Sequence, residues 1–359
     1  MKVLVHTPDL TRKGGVATFC ATLKNHLKCN ADFLVTGMKR ESRSIVLMVF
    51  RILIDYINYL FVLSVNQYDL VHVNPSLKMR ALFRDAGFIL IAKCFRKKVL
   101  VFIHGWDMEC EQKLRQRWLW LFSRTYFLAD AFVVLADDFR KRLCSMGYQG
   151  PIYLGKTSFD NSILSCLEEN ETFVSSQRVV FNILLLSRIE KEKGIMEALE
   201  SYAILKLQHP NISMTIAGDG NALEEAKKFA AELKLEDIKF LGHIGEKDKI
   251  KVFQASHCYL FPSYHEGMPI SVLEAMAFGL PVITRPVGAL EDFFEDGFMG
   301  YWSNDKSPET FAILIKKLID NPETRDKMSR YNHRYAMANF TPSSATAYLE
   351  SVYTEICQG

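Results

Sequence analysis

The chain has 359 residues, 49% of them hydrophobic, and a formal net charge of +3; that is enough apolar material for two cores of ordinary domain size. Its eight cysteines are scattered without a C-x-x-C pair, which excludes a zinc ribbon or a disulfide framework and fits a reducing cytosol. The charge is uneven, with 24 Lys+Arg against 13 Asp+Glu in residues 1–160 and 20 against 28 in the remainder; a basic half suits an anionic membrane surface or a phosphorylated partner, and without basic residues interleaved with aromatics no nucleic acid is expected.

The opening residues MKVLVHTPDL turn polar too soon for a signal peptide and read as a strand from Lys2 to Thr7. Gly14 and Gly15 follow its loop and open a helix to Leu27; two glycines there let a ligand approach the free amides closely. A second strand covers Asp32–Thr36. After Lys39, Arg40 and Arg43 comes an apolar stretch, Ile45–Leu63, in which Arg51, Asp55 and Asn58 recur about once per turn. That spacing predicts an amphipathic helix rather than a membrane span, packed on the sheet or resting on a membrane leaflet. Leu70–Asn74 and Val99–Ile103 read as buried strands, the second ending in His104-Gly105-Trp106-Asp107. A long helix is expected over Glu111–Leu128, then a strand (Ala131–Leu135) and a helix (Asp137–Met146). The polar segment Ser162–Gln177 reads as the linker between domains.

In the second half, Val179–Ser187 is a continuous apolar strand with Arg188 at its carboxyl end, and Lys193-Gly194 start the next helix. Strands at Ser213–Ala217 and Lys239–Gly242 follow, each with a helix behind it. The most informative stretch is HCYLFPSYHEGMPISVLEAMAFGLPVITRPVG, residues 257–288. It reads as strand, polar turn, helix and strand, with Pro269 at the first helical position and Gly279 just past the end. Glu266 precedes the helix and Glu274 lies inside it, so both face one ligand at the helix mouth, where the amides of Ile270 and Ser271 favour an anion. Strands beginning near 179, 213, 239, 258 and 280, alternating with helices, predict an α/β fold with a doubly wound parallel sheet.

EGMPISVLEA followed by GLPVI resembles the Glu-x7-Glu signature of the retaining, nucleotide-sugar-dependent glycosyltransferases of family 4. The resemblance implies a GT-B fold: two Rossmann-like doubly wound domains facing a cleft, here 1–165 for the acceptor and 175–340 for the nucleotide sugar, with a crossover helix, 341–359, on the N-terminal domain. It implies that Glu266 holds the donor sugar, Glu274 the ribose, and Arg188 with Lys193 the diphosphate. Gly14 and Gly15, Gly267 and Met268, Ile270 and Ser271, and Leu241 and Ile244 complete the donor contacts, and His104 meets the donor sugar or the acceptor. Asp107 and Glu109 are candidates for a base. No Asp-x-Asp pair is present, so no metal and no cofactor beyond the donor is expected. Relatives carry Asn-Gly-Val-Asp where this chain has Lys156-Thr157-Ser158-Phe159-Asp160, so no role is carried over to that loop. The implied activity moves a sugar from a nucleoside diphosphate to an acceptor hydroxyl, on a lipid-linked saccharide of bacterial surface polysaccharide such as lipopolysaccharide, with peripheral contact to an anionic membrane. A sugar-nucleotide epimerase of the same fold and a non-catalytic nucleotide-sugar-binding protein are the competing readings.

Overall fold

The computed structural model describes residues 1–11, 14–37, 45–169 and 180–359. In chain order the elements begin β1 (Lys2–Thr7), α1 (Gly15–His26), β2 (Asn30–Val35), α2 (Ile45–Val65), β3 (Leu70–Val73), α3 (Met79–Cys94), β4 (Lys98–Ile103), α4 (Met108–Lys113), α5 (Leu119–Thr125), β5 (Ala131–Val134), α6 (Asp137–Ser145) and β6 (Ile152–Leu154). There follow α7 (Asn161–Glu169), β7 (Phe181–Leu186), α8 (Ile195–Gln208), β8 (Ile212–Ala217), α9 (Leu223–Glu232), β9 (Ile238–Gly242), α10 (Glu246–Gln254), β10 (Cys258–Phe261), α11 (Ile270–Ala277), β11 (Val282–Thr284), α12 (Leu290–Phe293), β12 (Gly300–Trp302), α13 (Pro308–Asp320), α14 (Pro322–Asn339) and α15 (Pro342–Gln358). Residues 1–158 together with 342–359 form one unit, and residues 159–341 the other.

Each unit is built on a six-stranded sheet, in the orders β2-β1-β3-β4-β5-β6 and β12-β11-β10-β7-β8-β9. Every pairing within them is parallel. Parallel strands are covered on both faces, which is why LVHV, AFVV and CYLF are buried at every position. Crossovers between parallel strands are right-handed. The step from β1 to β2 runs one way and all later steps in the first sheet run the other, so α1 lies on one face and α2, α3 and α5 lie on the opposite one. α15 shares the face of α1: the Glu350 carboxylate accepts the amides of Lys28 (2.6 Å) and Cys29 (2.7 Å), and the Tyr353 hydroxyl meets His72 Nδ1 at 2.6 Å.

Several sequence expectations shift for physical reasons. The segment from Asn161 to Glu169 is helix rather than linker, because Phe159 and Ile163 are wholly buried in the second unit and Phe159 donates its amide to Phe340 O at 3.2 Å. The observed division therefore falls at Ser158/Phe159 and not at 165; residues 170–177 of the expected linker, Val179, and Lys39, Arg40 and Arg43 lie outside the described residues. The long helix expected over Glu111–Leu128 is interrupted by a π turn at Leu114–Trp118 and ends in a 3₁₀ turn at Tyr126–Leu128. Pro269 is extended (φ −73°, ψ 106°) and precedes the first helical residue instead of occupying it. In α2 the polar stripe is split. Asp55 faces inward beside Tyr59 and accepts the Gly37 amide at 2.8 Å, whereas the outward face carries Phe50, Ile57 and Phe61.

Candidate functional site

In a doubly wound sheet, ligands sit outside the carboxyl ends of the strands where the strand order reverses. In the second unit that point lies between β7 and β10, because β8 and β9 extend the sheet from β7 while β11 and β12 extend it from β10. The loop after β7 carries Arg188 and Lys193, and the loop after β10 carries Glu266, Gly267 and Met268.

Two glycines hold these loops together. Gly194 has φ +73°, and a Cβ there would lie 2.3 Å from the Pro262 carbonyl oxygen; Gly288 has φ +56°, and its Cβ would lie 2.2 Å from Gly267 O. Both positions are thus closed to other residues by conformation and by space. The first close approach seats the Lys191–Lys193 turn on the end of β10, where Tyr264 donates its amide to Glu192 O at 3.0 Å. The second lets Ala289 donate to Gly267 O at 2.7 Å. Between them, Lys193 Nζ meets Glu266 Oε1 at 2.6 Å, and Ser263 Oγ donates to the same oxygen at 2.7 Å. With both side chains of the ion pair 13% exposed, the pair is screened by protein but reachable. Gly194→Ala should lower stability by about 2 kcal/mol, from the left-handed conformation alone at least 1, read as a lower urea midpoint at unchanged slope.

Glu274 lies deeper. It is 4% exposed, and its Oε1 is met by Lys249 Nζ at 2.5 Å. Burial pushes its carboxyl above the ordinary value, and the Lys249 ammonium pulls the other way. Lys249 escaped the sequence reading, since it sits among the alternating charges of α10 with no local mark; only the sheet order brings α10 beside α11. Ser263 was missed as a partner of Glu266 for the same reason. The first-turn amides of α11, at Ile270 and Ser271, have no carbonyl four residues back within the helix and point out of its N-terminus beside Gly267.

The remaining assignments are spread more widely. The Arg188 side chain is 71% exposed and donates to Glu190 Oε1 at 2.9 Å, so it is not drawn into the Lys193–Glu266 pair. Leu241 is exposed at the end of the edge strand β9, and Ile244 is half-buried just beyond it. Met268 is partly packed against the core beneath α11.

Gly14, Gly15 and His104 belong to the first unit. A Cβ on either glycine would meet no described atom within 4 Å, leaving their backbone open. His104 stacks on Phe102 with centroids 4.0 Å apart, and its Nε2 lies 2.7 Å from Asn74 Oδ1. Asn74 Nδ2 donates to His6 O at 2.9 Å, which orients the amide, so His104 carries its proton on Nε2 and leaves Nδ1 bare. Burial, with a smaller push from His72, lowers the His104 pKa to about 3, and the imidazole is neutral at physiological pH. The strand order of this unit reverses between β1 and β3. A cavity of about 180 Å³ opens there, lined by Thr7, Asp9, Thr36, Asn74, Ser76 and Arg84 among others. Asp107 is occupied otherwise than expected, capping α4 by accepting the Cys110 amide at 2.8 Å, and Glu109 pairs with Lys113.

Two doubly wound parallel units, each with polar groups gathered at its switch point, define the GT-B class of fold. Residues 175–335 match the family model described as Glycosyl transferases group 1. A glycogen synthase of Mycobacterium tuberculosis is 26% identical over 172 residues, 46% of this chain and 41% of that protein. A D-inositol 3-phosphate glycosyltransferase of Streptomyces coelicolor is 29% identical over 185 residues, 49% of this chain and 40% of that one. The chain thus spans about two fifths of the length of these curated relatives. Among solved structures, the Anabaena protein HepE in complex with UDP superposes with a TM-score of 0.73 at 17% identity, covering 99% of this chain and 100% of that one.

Proposed function

We propose that the protein is a retaining glycosyltransferase that moves a sugar from a nucleoside diphosphate to an acceptor hydroxyl. The observation that carries this reading is the Lys193–Glu266 pair with Ser263, set at the β7/β10 switch point beside the N-terminus of α11. Breaking the bond between the anomeric carbon and a diphosphate places growing negative charge on the β-phosphate, and fixed donors aimed there lower the barrier. Lys193, Arg188 and the amides of Ile270 and Ser271 take that charge, without a metal ion or a further cofactor. Glu266 accepts hydroxyls of the donor sugar, its orientation held by Lys193 and Ser263. Glu274 accepts the ribose hydroxyls, steadied by Lys249, and Gly267, Met268, Leu241 and Ile244 complete the donor contacts.

The acceptor binds in the first unit, at the cavity after β1 and β3, with the neutral His104 at the end of β4. Displacement takes place on one face of the sugar, the departing phosphate receiving the acceptor's proton, so the configuration at the anomeric carbon is kept. An acceptor of the lipid-linked saccharide class, in bacterial surface polysaccharide assembly, accords with the basic first half of the chain.

A thermal-shift screen across UDP, GDP and dTDP sugars tests the donor, followed by NMR of the product anomer. A nucleotide sugar that raises the melting temperature and yields a product of unchanged anomeric configuration supports the reading; inversion, or no response to any donor, overturns it. Glu274→Ala should weaken nucleoside diphosphate binding at least tenfold by calorimetry, as expected for the loss of a charge-assisted hydrogen bond worth about 1.5–3 kcal/mol.

A further inference from the structure

Arg285 follows β11 and is 4% exposed, and among the described residues no carboxylate lies within ion-pair distance of it. Carbonyls engage its guanidinium instead. Nε donates to Pro262 O at 3.1 Å and Nη1 to Asp305 O at 2.5 Å, while Nη2 is enclosed without a partner. The guanidinium carbon also lies 4.5 Å from the centroid of the Tyr264 ring and 4.8 Å from that of Phe311. A buried charge with no counter-charge lowers stability, and such departures from the rules of packing gather at functional sites.

The sheet order explains the reach of this side chain. β12, β11 and β10 are consecutive neighbours, so a rigid fork at the end of β11 can hold the carbonyls that follow the strands on either side, Pro262 after β10 and Asp305 after β12. The flexible ammonium of a lysine offers no such fixed geometry.

What the fork holds is the loop before Glu266. Pro262 O is the oxygen against which Gly194 is packed. Ser263 donates to Glu266, and Tyr264 donates its amide to Glu192 O and its hydroxyl to Glu197. Fixing Pro262 O and the Tyr264 ring therefore fixes both sides of the Lys193–Glu266 pair, the turn that carries the lysine and the loop that carries the glutamate. The hydrogen bonds and ring contacts of Arg285 reach neither α10 nor α11, which carry Lys249 and Glu274.

From these contacts we infer that Arg285 is a positioning residue for the sugar end of the donor site. It sets where Glu266 and Lys193 stand without touching the donor, and it leaves the nucleoside end to Glu274 and Lys249. The assignment rests on the transferase reading for the roles of those residues, and one arm of its test does not.

The full-length wild type is compared with Arg285→Met, which keeps a long side chain but donates to neither carbonyl, and with Arg285→Lys. In the methionine variant the amides of residues 262–268 should undergo hydrogen exchange at least tenfold faster, as expected when charge-assisted bonds are lost, while those of α10 keep the wild-type rate. Nucleotide release from UDP-, GDP- and dTDP-glucose should fall about 10²-fold in kcat, the loss expected for a misplacement of about 1 Å. Affinity for the matching nucleoside diphosphate, read by calorimetry, should stay unchanged, which a general loosening of the fold would not allow. Arg285→Lys keeps the charge and should still lose about tenfold in kcat, the weight of one hydrogen bond to a charged group. Should the methionine variant not fold, the lysine variant decides by the same readings. Wild-type exchange over residues 262–268, wild-type kcat in either variant, or a fall in nucleotide affinity as large as the fall in kcat would overturn the inference. A wild type that releases nucleotide from none of the three donors counts against the transferase reading, and the exchange rates then decide by themselves whether Arg285 positions the loop.

Discussion

Replacing Lys193 by alanine should lower kcat by about 10²- to 10³-fold, the loss seen when one preorganised donor is removed from a developing oxyanion. The ammonium is mostly enclosed, with 13% of its side chain exposed, so in the proposed reaction its field would reach the leaving phosphate with little screening by water. It also fixes Glu266, the group assigned to the donor sugar. Arg188→Ala should cost less, about tenfold, because 71% of that side chain stands in solvent. The measurement is initial rate of nucleotide release with whichever donor the thermal screen selects. Equal losses in the two variants would mean that Arg188 folds inward when donor binds; a near-normal Lys193→Ala would remove that residue from the chemistry.

The second large effect concerns stability. Lys249→Met leaves the Glu274 carboxylate buried with its cation gone, and the loss should be about 3 kcal/mol near neutral pH, the lower end of the cost of breaking a buried pair. The pH dependence has a definite sign. A carboxyl whose folded pKa is raised binds its proton more tightly in the folded than in the unfolded chain. Stability therefore falls as pH climbs from the ordinary value of 4.5 through the raised folded one. Removing Lys249 removes the influence that holds the folded pKa down, so the window widens upward. Urea unfolding should find the variant closer to wild type at pH 5 than at pH 8. A deficit that does not change between those two values would show that Glu274 is not the group left exposed to the change.

The alternation of apolar strands and helices was legible in the chain because parallel strands are buried on both sides and need no alternating pattern. The turn with Glu266 was legible too, since proline before a helix and glycine after it are local signals. What escaped the sequence was long-range. Lys249 and Glu274 are partners through the stacking of α10 against α11, and nothing within either helix announces it. The inverted face of α2 escaped for a related reason: periodicity locates a stripe of polar residues but does not say which side the sheet will cover. Asp55 goes inward because the Gly37 amide waits there. Phe159 was read as part of a connecting loop, although it is buried to 0% exposure in the second unit, because a lone aromatic in a polar neighbourhood carries no period at all.

The return of α15 to the first unit has a consequence for the order of assembly. Protein synthesis delivers residues 159–341 as one uninterrupted piece, whereas the unit begun by β1 lacks its Tyr353 and Glu350 contacts until residues 342–358 have been made. The half that starts second can reach its final packing before the half that starts first, the reverse of the usual sequence on the ribosome. A nascent chain halted near residue 341 would hold a finished second unit and an open seam along α1.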